Sequence, residues 1–81
     1  MPSTSVTVGS SVGLHARPAA LIAEAAGALG STVTINGVDA SSSLMLMTLG
    51  AKHGDTVEVA GEDQSAVDSI AALVEQDLDA G

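Results

Sequence analysis

The simplest pattern in this chain is an alternation of polar and apolar side chains, which recurs in four short stretches. These stretches are Ser3 to Val8, Thr32 to Ile35, Val38 to Ser41 and Thr56 to Ala60. Alternation with a period of two is typical of a strand with one buried face, so Val57 and Val59, for example, are expected to face the core. Asn36 and Gly37, between the middle two stretches, favour a tight hairpin turn. The pattern therefore predicts four strands, the middle two forming a hairpin.

Apolar residues at helical spacing predict a helix from Ala16 to about Leu29, ended by Gly30. Its apolar stripe consists of Pro18, either Leu21 or Ile22, Ala25 and Leu29. Proline is accommodated in the first helical turn because its missing N–H would have no partner there. Pro18 therefore marks the start of this helix, with His15 near its N-cap.

Two further helices are predicted later in the chain. A short one runs from Leu44 to Leu49, after serines at 41–43 that can cap it, and it is closed by Gly50. A longer one is capped by Asp63, or alternatively by Ser65 with Asp68. Its buried stripe is predicted to be Val67, Ile70, Ala71, Val74 and Leu78.

The resulting order of elements is βαββαβα, which predicts the α+β class. Three amphipathic helices and four half-buried strands suit an antiparallel sheet with helices on one face and solvent on the other, an open-faced sandwich. A chain of 81 residues has room for one domain, spanning residues 1–81.

Composition and charge narrow the possible functions. The chain has two basic residues, counting Lys and Arg together, and ten acidic residues, counting Asp and Glu together. The resulting net charge of −8 argues against nucleic acid as a partner. Without cysteine there is no thiolate metal site, and two distant histidines do not suggest another kind. No apolar run approaches the ~20 residues of a membrane span. We therefore expect no metal, no cofactor and no membrane insertion.

The candidate chemistry lies in the stretch Gly13-Leu14-His15-Ala16-Arg17-Pro18-Ala19-Ala20. The first N–H groups of a helix are unpaired and, together with the helix dipole, attract anions. A neighbouring guanidinium suits a dianion such as a phosphoryl group. His15 would then be a nucleophile beside an anion site, with Arg17 as its counter-charge. The alternative is that His15 is only a cap or a packed surface residue.

The run Leu-His-Ala-Arg-Pro-Ala resembles the active-site signature of the HPr family, the histidine phosphocarriers of the bacterial sugar phosphotransferase system. Leu46-Met47-Thr48-Leu49-Gly50 is similar to the family's second short signature. The resemblance covers nearly the whole chain and implies the HPr-like strand order 1-4-2-3. It also implies that His15 accepts a phosphoryl group through Nδ1, that Arg17 assists transfer, and that the amides around Ala16 and Arg17 hold phosphate oxygens. Such a protein is a carrier and not an enzyme with its own turnover.

The resemblance further implies a cytoplasmic monomer that takes a phosphoryl group from enzyme I and passes it to the A domains of sugar-specific enzyme II permeases. The closest alternative is a related carrier of a regulatory or nitrogen-linked chain, or of a dihydroxyacetone kinase system. An alternative from another class is an HPr-like binding module that is not phosphorylated. The presence of both His15 and Arg17 argues against that module.

The short predicted helix allows two interpretations of each of its features. The apolar residues either plug the end of the core or form a docking patch for partners; they are Leu44, Met45, Leu46 and Met47. Ser42 is either a plain N-cap or, by the resemblance, the residue that a serine kinase phosphorylates in many relatives. Ser41 and Ser43 leave that register open by one residue. His53 is interpreted as a surface residue.

Overall fold

The structure of the chain, a computed structural model, describes residues 2–10 and 13–76. Its elements are β1 (Ser3–Thr7), α1 (Ala16–Ala28), β2 (Val33–Ile35), β3 (Val38–Asp39), α2 (Ser43–Thr48), β4 (Thr56–Gly61) and α3 (Gln64–Glu75). This is the predicted βαββαβα order. The middle of the loop predicted between β1 and α1, at residues 11 and 12, and the predicted core residue Leu78 lie outside the described residues.

The strands form one antiparallel sheet in the order β1-β4-β2-β3, as the resemblance implied. Strand β4 is central, with Val57 opposite Val6 of β1 and Val59 opposite Ile35 of β2. Both β4 valines are buried while Glu58 between them is exposed, which confirms the predicted alternation. The sheet therefore has one apolar face, and the three helices cover it.

The hairpin between β2 and β3 turns at the predicted dipeptide. Asn36 and Gly37 both have positive φ, of 51° and 84°, which is the conformation that a two-residue turn of this kind requires. The Asn36 side chain also accepts a hydrogen bond from the Glu58 N–H at 2.8 Å. The turn is thus attached to the central strand as well as to its own hairpin.

Helix α3 packs over β1 and β4, and α1 lies between α3 and α2. Because the chain has no aromatic residues, the core consists of aliphatic side chains and alanine. Its buried members are Val6, Val8, Leu14, Ala19, Ile22, Ala26, Val33, Ile35, Ala40, Leu46, Val57, Val59, Ala66, Val67, Ile70, Ala71 and Val74. Within the described residues, no helix has both the length and the apolar character needed to cross a membrane.

The buried face of α1 differs in part from the predicted stripe. Ile22 is fully buried, whereas Leu21 is 41% exposed, which decides between the two alternatives. The prediction that Leu29 is buried is wrong, since it is 40% exposed. Leu29 is the C-cap, so no further helical turn follows to cover it. Ala19 and Ala26 complete the buried face instead and allow α1 to lie close to its neighbours.

Strand β3 is shorter than predicted because an aspartate turns the chain. It ends at Asp39 and not at Ser41. The Asp39 carboxylate accepts hydrogen bonds from the Ser41 N–H at 2.9 Å and from the Ser41 hydroxyl at 2.7 Å. The Asp39 carbonyl accepts the Ser42 N–H at 3.2 Å. These bonds close a turn that leads directly into α2.

For each of the two later helices, the observed N-cap is one of the residues that the sequence offered. Ser42 is the N-cap of α2, and its hydroxyl accepts the Met45 N–H at 3.3 Å. Asp63 is the N-cap of α3, where its carboxylate accepts the Ser65 N–H at 3.0 Å. Helix α2 consequently begins at Ser43, one residue before the predicted start.

Candidate functional site

His15 is the N-cap of α1, and its side chain is exposed. Its backbone is extended, with φ −82° and ψ −173°, and its carbonyl accepts the Ala19 N–H at 2.9 Å. The imidazole itself makes no capping hydrogen bond. The backbone of His15 is therefore fixed by the helix while its ring remains available to solvent.

Within the part of the chain that the structure describes, the first amides after His15 make no hydrogen bond inside the helix. Ala16 and Arg17 are the first helical residues, whose N–H groups have no intrahelical acceptor, and Pro18 has no N–H. Pro18 is buried and fixes this turn against the core, whereas Arg17 is exposed. The helix start can therefore offer two amide donors and one guanidinium to an anion that binds beside His15.

Gly13 connects the histidine loop to the segment that follows α2. Its φ is +74°, and a Cβ at this position would lie 2.5 Å from the Ala51 carbonyl oxygen and 2.9 Å from the Lys52 Cα. The next residue, Leu14, is buried and donates its N–H to the same Ala51 oxygen at 3.0 Å. This contact requires glycine and places His15 beside residues 50–52.

A surface depression of about 290 Å³ lies at this junction. It is lined by Leu14, His15, Met47, Gly50, Ala51 and Lys52. The depression therefore joins the start of α1 to the end of α2, and an exposed imidazole forms part of its wall. Among the described residues there is no group of three or more His, Asp or Glu arranged to hold a metal ion.

Helix α2 presents most of its apolar side chains to solvent. Leu44 is 68% exposed, Met45 44% and Met47 37%. Leu46, by contrast, is fully buried. Including Leu46 in the docking patch was therefore wrong: this side chain plugs the core, because on a helix of six residues only one row can face inward. The core interpretation therefore applies to Leu46, and the exposed side of α2 is the candidate for the docking patch.

The chain is similar in sequence and in fold to known proteins. The family model for the PTS HPr component phosphorylation site matches residues 2–76. The chain belongs to the HPr family. Phosphocarrier protein HPr of Streptomyces coelicolor is 37% identical over an alignment of 87 residues, which covers 98% of this chain and 94% of that protein.

Solved structures of HPr proteins superpose over the same extent. HPr-C-His from Thermoanaerobacter tengcongensis gives a TM-score of 0.87 at 27% identity and covers 100% of this chain and 99% of that one. Phosphocarrier protein HPr from Bacillus anthracis gives 0.83 at 29% identity, covering 90% and 95%. The chain is thus an HPr phosphocarrier of the phosphotransferase system, and not a catalytic enzyme.

The three serines at the start of α2 in this HPr chain have different surroundings. The Ser41 hydroxyl donates to Asp39, and this bond, with the one from the Ser41 N–H, holds the pKa of the Asp39 carboxyl below its ordinary value of 3.8. The Ser42 hydroxyl accepts from Met45 and caps the helix. Ser43 is already inside the first turn. Ser42 is thus the N-cap serine of α2, while the serine that a kinase would phosphorylate stays a prediction.

The fold also brings to the site residues that no pattern in the sequence placed there. Gly50, Ala51 and Lys52 line the depression beside His15, although they lie far from it in the chain. The available signal was that Lys52 and Arg17 are the only Lys and Arg residues of the chain. His53 is exposed and does not line the depression, in keeping with its interpretation as a surface residue.

Proposed function

We propose that His15 is the residue on which this HPr chain carries its phosphoryl group, bonded through Nδ1. The observation that carries the proposal is the His15 imidazole at the N-cap of α1. This ring is exposed, makes no capping hydrogen bond, and lies next to the amides of Ala16 and Arg17. The nitrogen is assigned from the family resemblance. Transfer forms the N–P bond at His15 as the donor's bond to phosphorus breaks, so the protein needs mainly to position the group and stabilise its charge.

The guanidinium of Arg17 and the two amides are assigned to the phosphoryl oxygens. All three lie at the positive end of α1, where the helix dipole also favours negative charge. Arg17 is exposed, so it can move to follow the group during transfer. In this assignment the amides hold the phosphoryl group in place, and Arg17 compensates its developing charge.

The proposed partners are those of the sugar branch of the system. Enzyme I, charged by phosphoenolpyruvate, would donate the group, and the A domains of sugar-specific enzyme II permeases would receive it. Their docking surface would comprise the exposed apolar residues of α2, namely Leu44, Met45 and Met47. Met47 supports this assignment because it also lines the depression beside His15. Exposed apolar side chains of this kind mark binding sites, and Met adapts to several partners. We place this single-domain carrier in the cytoplasm as a monomer.

The proposed function is tested by incubating the protein with phosphoenolpyruvate and enzyme I and measuring its intact mass. We expect an acid-labile gain of one phosphoryl group, which is characteristic of a P–N bond. The gain should be lost when an enzyme II A domain is added. Labelling only by the enzyme I of a nitrogen-linked or dihydroxyacetone kinase system would assign the chain to that branch. No labelling by any of these donors would indicate an HPr-like binding module.

Ser42 is the proposed site of regulation by a serine kinase, and its position as N-cap leads to a prediction. Ser42→Asp should retain the cap, since a carboxylate also accepts the helix N–H groups, and the melting temperature should stay equal or rise. The added charge beside the docking residues should nevertheless slow phosphorylation of His15. Ser42→Ala, the matched control, should lower stability by about 0.5–2 kcal/mol without this slowing.

The neighbouring serines test whether the slowing of transfer is specific to position 42. Ser41→Asp and Ser43→Asp should slow transfer less than Ser42→Asp in the same mass assay. If Ser42→Asp transfers at the normal rate, Ser42 is only a cap, and its regulatory role is to be dropped.

A further inference from the structure

The one Arg and the one Lys of this chain both lie at the candidate site. Arg17 follows His15 by two residues, and Lys52 lines the same depression as His15. The chain has ten Asp and Glu residues and a net charge of −8, so its overall charge opposes the approach of a dianion. We propose that Lys52 is a second phosphoryl-binding cation, whose ammonium contacts the oxygens of the group carried on His15. This inference rests on the proposed function of His15.

The backbone at Lys52 is held directly against the histidine loop. The Lys52 Cα would lie 2.9 Å from a Cβ placed on Gly13. The carbonyl that precedes it, on Ala51, accepts the Leu14 N–H at 3.0 Å. These contacts fix the distance between the backbone of Lys52 and the start of α1. The Lys52 side chain therefore starts from a backbone position that is fixed relative to the start of α1.

The turn that follows Lys52 is closed by its own hydrogen bonds and is also bonded to Val8, the residue after β1. The Lys52 N–H donates to the Asp55 carboxylate at 2.9 Å, and the Asp55 N–H donates to the Lys52 carbonyl at the same distance. Gly54 and Asp55 are joined to Val8 by two further backbone hydrogen bonds, of 3.0 and 2.8 Å. The nearest carboxylate in sequence thus binds the Lys52 backbone, while the Lys52 side chain is exposed.

The role assigned to Lys52 is electrostatic and leaves the covalent step unchanged. A lone pair of the His15 ring forms the new N–P bond as the donor's bond to phosphorus breaks, and the phosphoryl oxygens bring their negative charge with them. Because exposed ion pairs are weak individually, we expect its removal to change transfer by roughly threefold to tenfold, less than removal of Arg17.

The test compares Lys52→Met and Lys52→Arg with a neighbouring control, His53→Gln. The rate of phosphorylation by enzyme I and phosphoenolpyruvate is measured by intact mass, as is the equilibrium between phosphorylated enzyme I and the carrier. Lys52→Met should lower both the rate and the equilibrium constant roughly threefold to tenfold, because the contact stabilises the phosphorylated state. Lys52→Arg should restore most of both. His53→Gln, in the same exposed turn, should match the unaltered protein.

Three results would overturn the inference. One is a Lys52→Met protein that matches the original in rate and equilibrium. A second is a higher KM for enzyme I with an unchanged equilibrium constant, which would place Lys52 on the partner and not on the phosphoryl group. The third is a lower rate and equilibrium constant that accompany a lower melting temperature and that Lys52→Arg does not restore. That result would make the role of Lys52 structural.

Phosphoramidate, a chemical donor that phosphorylates histidine without enzyme I, separates this inference from the proposed function. If enzyme I fails to label the protein while phosphoramidate labels His15 more slowly in Lys52→Met, the relay is wrong and Lys52 is a phosphoryl-binding residue. If both donors label Lys52→Met at the original rate, the relay stands and the inference fails. If neither donor labels His15 in the unaltered protein, both are wrong.

Discussion

Replacing His15 with alanine is expected to abolish acid-labile phosphorylation by enzyme I and phosphoenolpyruvate. The imidazole is the proposed nucleophile, and an alanine methyl group has no lone pair with which to bond phosphorus. The domain should remain folded, because the His15 side chain is exposed and makes no capping hydrogen bond. The His15 carbonyl, which accepts the Ala19 N–H, is retained in the variant. Loss of labelling would therefore report chemistry and not unfolding.

His53→Ala is the matched control, since it removes the chain's other histidine from an exposed turn. Its labelling should equal that of the unaltered protein, and the melting temperatures of all three proteins should agree. Intact mass after brief acid treatment distinguishes phosphohistidine from phosphoserine. Acid-labile label that persists in His15→Ala would contradict the assignment of His15 as the phosphoryl acceptor.

Replacing Arg17 with alanine is expected to slow transfer to His15 by roughly tenfold to a hundredfold. This range corresponds to the loss of a charge-assisted contact of ~1.5–3 kcal/mol. Stability should change little, because Arg17 is exposed and alanine is the best helix former. Arg17→Lys should recover only part of the rate, since an ammonium lacks the planar fork that binds two oxygens at once. The amides of Ala16 and residue 17 remain in both variants, so some transfer should persist.

Single-turnover kinetics with phosphorylated enzyme I measure the rate of transfer to His15 in the Arg17 variants directly. The rate at saturating enzyme I isolates the chemical step from docking, which the exposed residues of α2 are proposed to supply. If Arg17→Ala transfers at the original saturated rate, Arg17 has no part in the mechanism. An Arg17→Lys protein as fast as the original would show that charge alone is sufficient and that the fork geometry is not used.

The elements of this fold could be predicted from sequence because their signals are local. The alternation around Val57 and Val59, the Asn36–Gly37 turn and the serine and aspartate caps each depend on neighbours a few residues away. The candidate site was accessible for the same reason, since His15, Arg17 and Pro18 occupy a single helical turn. The strand order and the Nδ1 assignment were different, because they came from the family resemblance and not from any local pattern.

Other predictions were left open or wrong because their answers depend on distant contacts. Periodicity could not separate Leu21 from Ile22, since adjacent residues on a helix can both border an apolar stripe. Burial of Leu29 was expected from its position on that stripe, but the helix ends there. The end of β3 depended on how the Asp39 side chain folds back onto Ser41. On α2, only packing against the rest of the core shows that Leu46 is the inward residue.

By itself, the sequence determined the element order, the hairpin and the pairing of an imidazole with a guanidinium at a helix start, because hydrogen bonding and periodicity along a short segment are sufficient for these. Only the tertiary structure decided what lies opposite that helix start. The Leu14 N–H meets the Ala51 carbonyl, and Gly13 allows the two segments to approach closely. That long-range contact brings Met47 and Lys52 to the wall of the depression beside His15. No local signal encodes it, because it exists only once the sheet and helices have closed around a common core.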